Sequence, residues 1–342
     1  FCGPSRMGLM AGRYPHNFGG TYNLPPSATQ FQKYANQGIP TSEVLLSTML
    51  QKAGYFTGVI GKWHLGFASE FHPNACGFDE FFGFLGGGHM YFPEQYQAIH
   101  ERQKKAGKTV FNEYQTPLEH NGEEVVGTEY LTDALSREAV NFVSHAADKK
   151  QPFFLYLAYN APHTPLEAKE DDLAKFASIP DEKRRTYAAM VWAVDRGVGK
   201  LTEALKATGT FDNTLIVFLS DNGGKTSAGA NNGPLREGKG SIMEGGIRVP
   251  MFFHWPAQLT GGKRLDFPIS SLDYYPTFAR LAGADLPAEQ KLDGLDVMEA
   301  IQQGRNPREG QALFALRHFN GFHNVGIRQD RWKATRRGPN SP

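Results

Sequence analysis

Short, nearly continuous apolar runs alternate along this chain with longer stretches of helical period. Four runs, Tyr55–Ile60, Phe153–Tyr159, Thr214–Leu219 and Val249–His254, carry almost no polar interruption, the pattern of strands covered on both faces. Between them the apolar positions recur every three or four residues. Thr41–Ala53 sets Val44, Leu45, Met49 and Leu50 on one face before Gly54, and Thr128–Ala147 does the same with Leu131, Leu135, Phe142 and Val143. Glu182–Thr208 carries Tyr187, Met190, Val191, Val194, Val198, Leu201 and Leu205 ahead of Gly209. An apolar stripe predicts a helix in each case, and Gly54 and Gly209 supply stops for the first and third. Strands alternating with helices predict an α/β fold with a largely parallel central sheet. Segment 86–127, rich in Gly, Pro and polar residues, reads as a long surface excursion of the kind that shapes binding sites. Beyond about residue 306 two short strand-like runs follow, Ala312–Arg317 and Val325–Lys333. They divide the chain into a main domain, 1–308, and the beginning of a small β-containing subdomain, 309–342.

Composition narrows the function classes. A formal charge of +1 supplies no global field for nucleic acid or an acidic membrane, so anion binding must come from a local cluster. No stretch reaches the roughly 18 consecutive apolar residues of a membrane span. The two cysteines, Cys2 and Cys76, form no disulfide framework and have no metal-type spacing. Cys76, beside Gly77 and Phe78, reads as a small buried residue.

Ligands in open α/β sheets gather at the carboxyl ends of the strands, and the residues there form a coherent polar set. Gly61-Lys62-Trp63-His64 follows the first run, with Lys62 and His64 two apart and facing one side of an extended segment. Asn160-Ala161-Pro162-His163 follows the second, Ser220-Asp221-Asn222-Gly223 the third, and Lys239 lies in Gly238-Lys239-Gly240 before the fourth. Each has a plainer reading: His163 as a structural histidine, Asp221-Asn222-Gly223 as an ordinary turn, Lys239 as a solvated loop lysine. His89, inside Gly86-Gly87-Gly88-His89-Met90-Tyr91, is a further candidate for a substrate pocket. At the start, Cys2-Gly3-Pro4-Ser5-Arg6 leads into a helical pattern that stops at Gly12. Pro4 suits a first helical turn, which puts Cys2 where free N–H groups favour an anion, with Arg6 one turn inside. A thiolate nucleophile is the simplest reading, but the Cys-phosphatase loop separates Cys and Arg by five residues and here only three intervene.

Cys2-x-Pro4-Ser5-Arg6, continuing to Gly12-Arg13, resembles the first signature of the formylglycine-dependent sulfatases, the arylsulfatase family of the alkaline phosphatase-like superfamily. Gly54-Tyr55-x-Thr57-x-x-x-Gly61-Lys62-x-His64 resembles the second. Pro162-His163, Asp221-Asn222-Gly223, Gly238-Lys239-Gly240, Glu244-Gly245-Gly246-x-Arg248 and Leu272-Asp273-x-Tyr275-Pro276-Thr277 follow in family order. The resemblance implies a three-layer α/β/α fold, with 1–308 as the catalytic domain, and hydrolysis of sulfate esters, those of sulfated sugars or polysaccharides first. It implies that a formylglycine-generating enzyme oxidises Cys2 to an aldehyde, whose hydrate attacks sulfur with one hydroxyl and expels sulfate with the other. It further implies a divalent cation, Ca²⁺ with Mg²⁺ as the alternative, on Asp221, Asn222 and the modified Cys2, all hard oxygen donors. Arg6, Lys62 and Lys239 would surround the ester, with His64 supporting the hydrate and His163 or Lys239 protonating the leaving oxygen.

Sulfatases also draw a pair of metal-binding aspartates from a strand ahead of the signature Cys, and the chain begins one residue before Cys2. The resemblance therefore predicts a sequence cut at its N-terminal end and within its C-terminal subdomain, inactive as given, and a periplasmic or secreted location. Two other functions compete: a phosphodiesterase or phosphonate ester hydrolase of the same superfamily, and a non-catalytic module binding sulfated glycans. Two-zinc relatives resemble Asp-His-Gly where this chain has Asp221-Asn222-Gly223, which disfavours zinc chemistry.

Overall fold

The computed structural model describes residues 1–21, 23, 37–109, 111–317 and 324–338. The chain divides into two units: a first of Phe1–Asn23, Ser42–Leu46 and Asp212–Pro342, and a second of Leu24–Thr41 and Ser47–Phe211.

In the second unit seven consecutive buried residues form strand β1 (Phe56–Lys62). It pairs in parallel with β2 (Glu80–Phe84) on one side and, across the chain, with a later strand on the other. Two short strands, β3 (Leu118–His120) and β4 (Glu123–Val125), join antiparallel at the outer edge, and β5 (Phe153–Ala158) lies beyond β1, giving the order β4-β3-β2-β1-β5. The 86–127 segment is therefore more than a surface excursion, because it contributes two strands to the sheet and a helix, Gln97–Lys105. Helix Leu131–Lys149 packs on β1, β2 and β5, with Leu131, Leu135, Phe142 and Ala146 buried in one cluster with Phe56, Ile60, Phe82 and Phe84; Val143 is buried as well. Phe142 stacks on Phe56 with ring centroids 5.0 Å apart, and Gly58 makes room for it: a Cβ there would stand 2.3 Å from Phe142. Helix Glu182–Ala207 starts on Asp181, whose carboxylate accepts from the Arg184 N–H at 2.7 Å, and packs against Leu131–Lys149.

A charged cluster ties these helices together. Arg196 donates to Asp133 at 2.8 Å and to Asp172, and Lys169 donates to Asp133 at 2.9 Å. Burial alone would raise the Asp133 pKa, but the hydrogen bonds from Lys169 and Arg196 prevail and hold it below the ordinary carboxylate value. A depressed folded pKa contributes stability above the unfolded value and loses it as pH falls through the folded one. Arg196→Leu leaves two carboxylates without their shared cation and should cost about 3–5 kcal/mol at neutral pH. Protonation relieves the variant, so its deficit should narrow on acidification. Urea melts of both proteins across that range check this, and a deficit that is small and independent of pH would show the cluster to be solvated.

The first unit opens with helix Cys2–Ala11, eight of whose ten residues are buried, ending on Gly12 in the left-handed region (φ 67°). Its last carbonyl is satisfied by Gln290, which donates to Ala11 O at 2.8 Å; a helix end needs such a partner when buried. Strands β6 (Ile216–Leu219) and β7 (Met251–His254) form a separate antiparallel pair, half-exposed rather than covered on both faces. A third sheet, β8 (Ala312–Arg317), β9 (Asn324–Gln329) and β10 (Trp332–Arg337), is antiparallel throughout. Glu244 anchors it, accepting from Arg328 at 2.7 Å and Lys333 at 2.6 Å.

Candidate active site

Cys2 and Arg6 sit one turn apart on the first helix, 2% and 6% exposed. Arg6 reaches Asp221, 215 residues away, donating to Oδ2 from Nε at 3.2 Å and from Nη2 at 3.0 Å. The Asp221 side chain is 28% exposed, so the pair faces an opening. Asn23, which no spacing in the sequence marks, bridges the helix start: its Oδ1 accepts from Gly3 N–H at 2.8 Å and its Nδ2 lies 3.9 Å from Cys2 Sγ.

The loop after β6 is fixed by its neighbours. Gly223 N–H donates to Gly246 O at 3.0 Å, Lys239 N–H to Gly224 O at 3.1 Å, and Asn232 brackets Gly224 with bonds of 2.8 and 2.9 Å. These bonds bring the Lys239 backbone beside the Asp221-Asn222 turn. Asn222 donates through Nδ2 to Gly223 O at 3.1 Å, while its Oδ1 is buried and accepts no hydrogen bond. A buried amide oxygen left open beside a carboxylate is the donor chemistry of a hard divalent cation. Among the described residues no three or more of His, Cys, Asp and Glu cluster as a metal site, so Asp221 and Asn222 supply only part of a shell.

The second unit holds the remaining candidates. Lys62 is the last residue of β1 rather than a residue beyond it, and is 2% exposed. Trp63 and His64 continue along β2, donating to Phe84 O and Leu85 O at 3.0 Å each. His64 then turns to φ 63°, so the two side chains do not simply alternate along an extended segment. A non-glycine residue there is strained by roughly 1–3 kcal/mol, a feature that gathers at functional sites. Its ring lies against Gly87: a Cβ at that glycine would stand 2.8 Å from His64 Nε2 and 3.3 Å from Glu113 Oε1. Glu113, 5% exposed, accepts from Gly87 N–H at 3.0 Å.

His163 follows β5. Its Nδ1 lies 2.8 Å from Thr164 O, which can only accept, so Nδ1 carries the proton and Nε2 is the atom left for chemistry. The edge of its ring meets Tyr114 at 6.3 Å between centroids, and Tyr91 OH donates to its carbonyl at 2.8 Å. Nothing in the sequence marks Glu113 or Tyr114 as site residues, although the 86–127 segment that carries them reads as one that shapes a site. His89 is a structural residue instead. It is fully buried, its ring nitrogens stand 2.7 and 2.8 Å from Met90 O and Thr116 O, and burial lowers its pKa. Cys76 is buried too, its thiol pKa pushed up by desolvation to about 12, which keeps it protonated and inert. His318 and His323 lie outside the described residues.

The fold is the α/β, alkaline phosphatase-like fold of solved sulfatases. Ps i-CgsB in complex with k-i-k-neocarrahexaose superposes with a TM-score of 0.95 at 56% identity, over 98% of this chain and 73% of that one. PsFucS1 sulfatase from Pseudoalteromonas sp. gives 0.76 at 26% identity, over 97% and 67%. The sulfatase family model matches residues 1–284, and the chain belongs to that family. The uncharacterized sulfatase YdeN of Escherichia coli (strain K12) is 34% identical over 326 residues, 88% of this chain and 52% of that protein. Human N-acetylgalactosamine-6-sulfatase is 33% identical over 313 residues, 89% and 57%. The chain thus spans about half the length of these two relatives. Membership implies, in general terms, a formylglycine and a divalent cation. Among the described residues no helix is long and apolar enough to cross a membrane.

Proposed function

We propose that the protein is a sulfuric ester hydrolase acting on sulfated oligosaccharides or polysaccharides through a formylglycine hydrate made from Cys2. The pairing of Arg6 with Asp221 carries this reading: it joins the turn that bears Cys2 to the turn that offers oxygen donors. The 56% identity to Ps i-CgsB, crystallised with k-i-k-neocarrahexaose, favours a carrageenan-type glycan. We place the enzyme in the periplasm or outside the cell, following its family resemblance, with a formylglycine-generating enzyme as its maturation partner.

Asp221 and Asn222, with the oxygens of the modified Cys2, are the proposed ligands of Ca²⁺. When bound, a divalent cation polarises a sulfate ester and favours ionisation of a coordinated hydroxyl. The chain's own residues do the rest. Arg6 holds Asp221 in place and adds positive charge beside Cys2. Asn23 secures the helix start, leaving its amide hydrogens toward the side chain of residue 2. Lys62 and Lys239 bind sulfate oxygens, His64 supports the hydrate, and His163 or Lys239 gives a proton to the leaving oxygen. With Nδ1 pinned to Thr164 O, His163 would deliver that proton from Nε2.

Maturation and turnover test the proposal together. Mass spectrometry of the Cys2 peptide, from the full-length gene expressed beside a formylglycine-generating enzyme, should show loss of the thiol. The same preparation should release sulfate from carrageenan oligosaccharides and leave phosphate diesters and phosphonate esters nearly untouched. A fully active preparation with an intact thiol, or a preference for the phosphorus esters, would sink it.

The Gly87 contact yields a finer expectation. Gly87→Ala forces His64 Nε2 or Glu113 to move from a 2.8–3.3 Å approach; because a ring end yields easily, the fold should survive. Misplacement by a few tenths of an ångström to 1 Å should reduce turnover about 10- to 100-fold. A wild-type rate in Gly87→Ala would show that His64 has no fixed task.

A further inference from the structure

We infer that one end of the C-terminal sheet forms a second anion subsite, which takes a sulfate ester on the glycan other than the one hydrolysed. The inference rests on the reading of the chain as a glycan sulfatase.

Three residues line up across three strands. Arg317, the last residue of β8, is the register partner of Asn324, the first of β9, and Asn324 is in turn the partner of Arg337, the last of β10. Register partners on neighbouring antiparallel strands point to the same face, with strands about 4.8 Å apart. The row therefore presents guanidinium, amide and guanidinium side by side. It lines a cavity of about 300 Å³ together with the Gly238-Lys239-Gly240 loop. That volume is at the lower end of the roughly 300–1,000 Å³ of small-molecule pockets, enough for one substituted sugar.

Charge and geometry select the ligand. Among the described lining residues Lys239, Arg317 and Arg337 stand against one carboxylate, Glu237, so the lining carries more positive than negative groups in a chain that is nearly neutral overall. Glu237 accepts from Arg337 at 2.9 and 3.3 Å and from Ser241. That carboxylate competes with an incoming anion for Arg337. Guanidinium forks match tetrahedral oxyanions through paired N–H donors, and an amide adds one more. The cavity also adjoins the proposed reaction centre. Arg317 lies 5.0 Å over the Phe1 ring, and a Cβ at Gly240 would meet that ring at 2.9 Å, so Phe1 separates the cavity from Cys2 by a single residue. A glycan with its scissile sulfate at Cys2 would have a neighbouring sulfate within reach of this row. Lys239 would then touch both groups, one from each side.

Binding separates this from catalysis. In a Cys2→Ala background, calorimetric titration would compare a multiply sulfated carrageenan oligosaccharide with its singly sulfated counterpart. Arg317→Gln and Arg337→Gln should each weaken the multiply sulfated ligand by about 10-fold and change the singly sulfated one little. Glu237→Gln removes the opposing carboxylate and should tighten the multiply sulfated ligand several-fold, a gain that misfolding cannot imitate. Equal losses for both ligands, or no gain in Glu237→Gln, would overturn the subsite while leaving the proposed activity standing. If neither oligosaccharide binds the parent protein, the glycan reading and the subsite fall together.

Discussion

Cys2→Ala should reduce sulfate-ester turnover to background, at least about 10⁴-fold below wild type, as loss of a covalent nucleophile does. The side chain is 2% exposed in a helix whose first turn is held by Asn23 through Gly3, and alanine suits a helix. Stability should therefore change little, and the loss belongs to chemistry. Cys2→Ser separates the two halves of the proposed cycle. A serine hydroxyl can attack sulfur, but without a second hydroxyl on the same carbon it has no way to expel the sulfate. The variant should stop after one turnover, with a sulfuryl group on the Cys2 peptide detectable by mass spectrometry. Unbroken turnover by Cys2→Ala would remove the nucleophile from position 2 altogether.

Interiors of elements were legible and their ends less so, for identifiable reasons. Glu182–Thr208 was expected and Glu182–Ala207 is found, because an uninterrupted apolar stripe of that length admits little else. Thr41–Ala53 shortens to Leu46–Lys52. Its first turn is drawn away by partners far along the chain: Val44 N–H donates to Gln290 Oε1 at 2.7 Å, and Val44 O accepts from Tyr275 OH at 3.0 Å and Gln290 at 3.1 Å. Local periodicity cannot anticipate such bonds. The β3–β4 hairpin was missed although its signal was present. Asn121-Gly122 is a favoured two-residue hairpin turn, and both residues take positive φ, 51° and 88°, but the flanking strands are too short and polar to register as runs. For the site, composition at the strand ends singled out Lys62, His64, His163, Asp221 and Lys239 as a set. The contact between Arg6 and Asp221 was beyond any spacing rule, since 215 residues separate them. Asn23 and Glu113 were invisible for a related reason: each acts by holding a backbone N–H of a distant glycine, and neither lies at a strand end.

Lys62, Lys239 and His163 should each be worth about 10² to 10³ in turnover, the usual consequence of removing one donor or charge aimed at a transition state. Their effects on the fold should differ, and the difference makes the test sharp. Lys239 and His163 are only partly buried, so Lys239→Ala and His163→Ala should melt close to wild type. Lys62 is 2% exposed within a strand whose seven residues are all buried. Its aliphatic stem is packed, and Lys62→Ala should lose about 2 kcal/mol of stability from the space left behind, on top of the loss of rate. Lys62→Met refills that space with an unbranched apolar chain of similar length. Stability should return toward that of wild type, while turnover on sulfate esters stays down by the same factor as in Lys62→Ala. Melting curves and steady-state rates of the two variants decide between a structural lysine and one acting on the ester. Recovery of both stability and rate in Lys62→Met would make Lys62 a packing residue, and the positive charge at the end of β1 would have no part in the reaction.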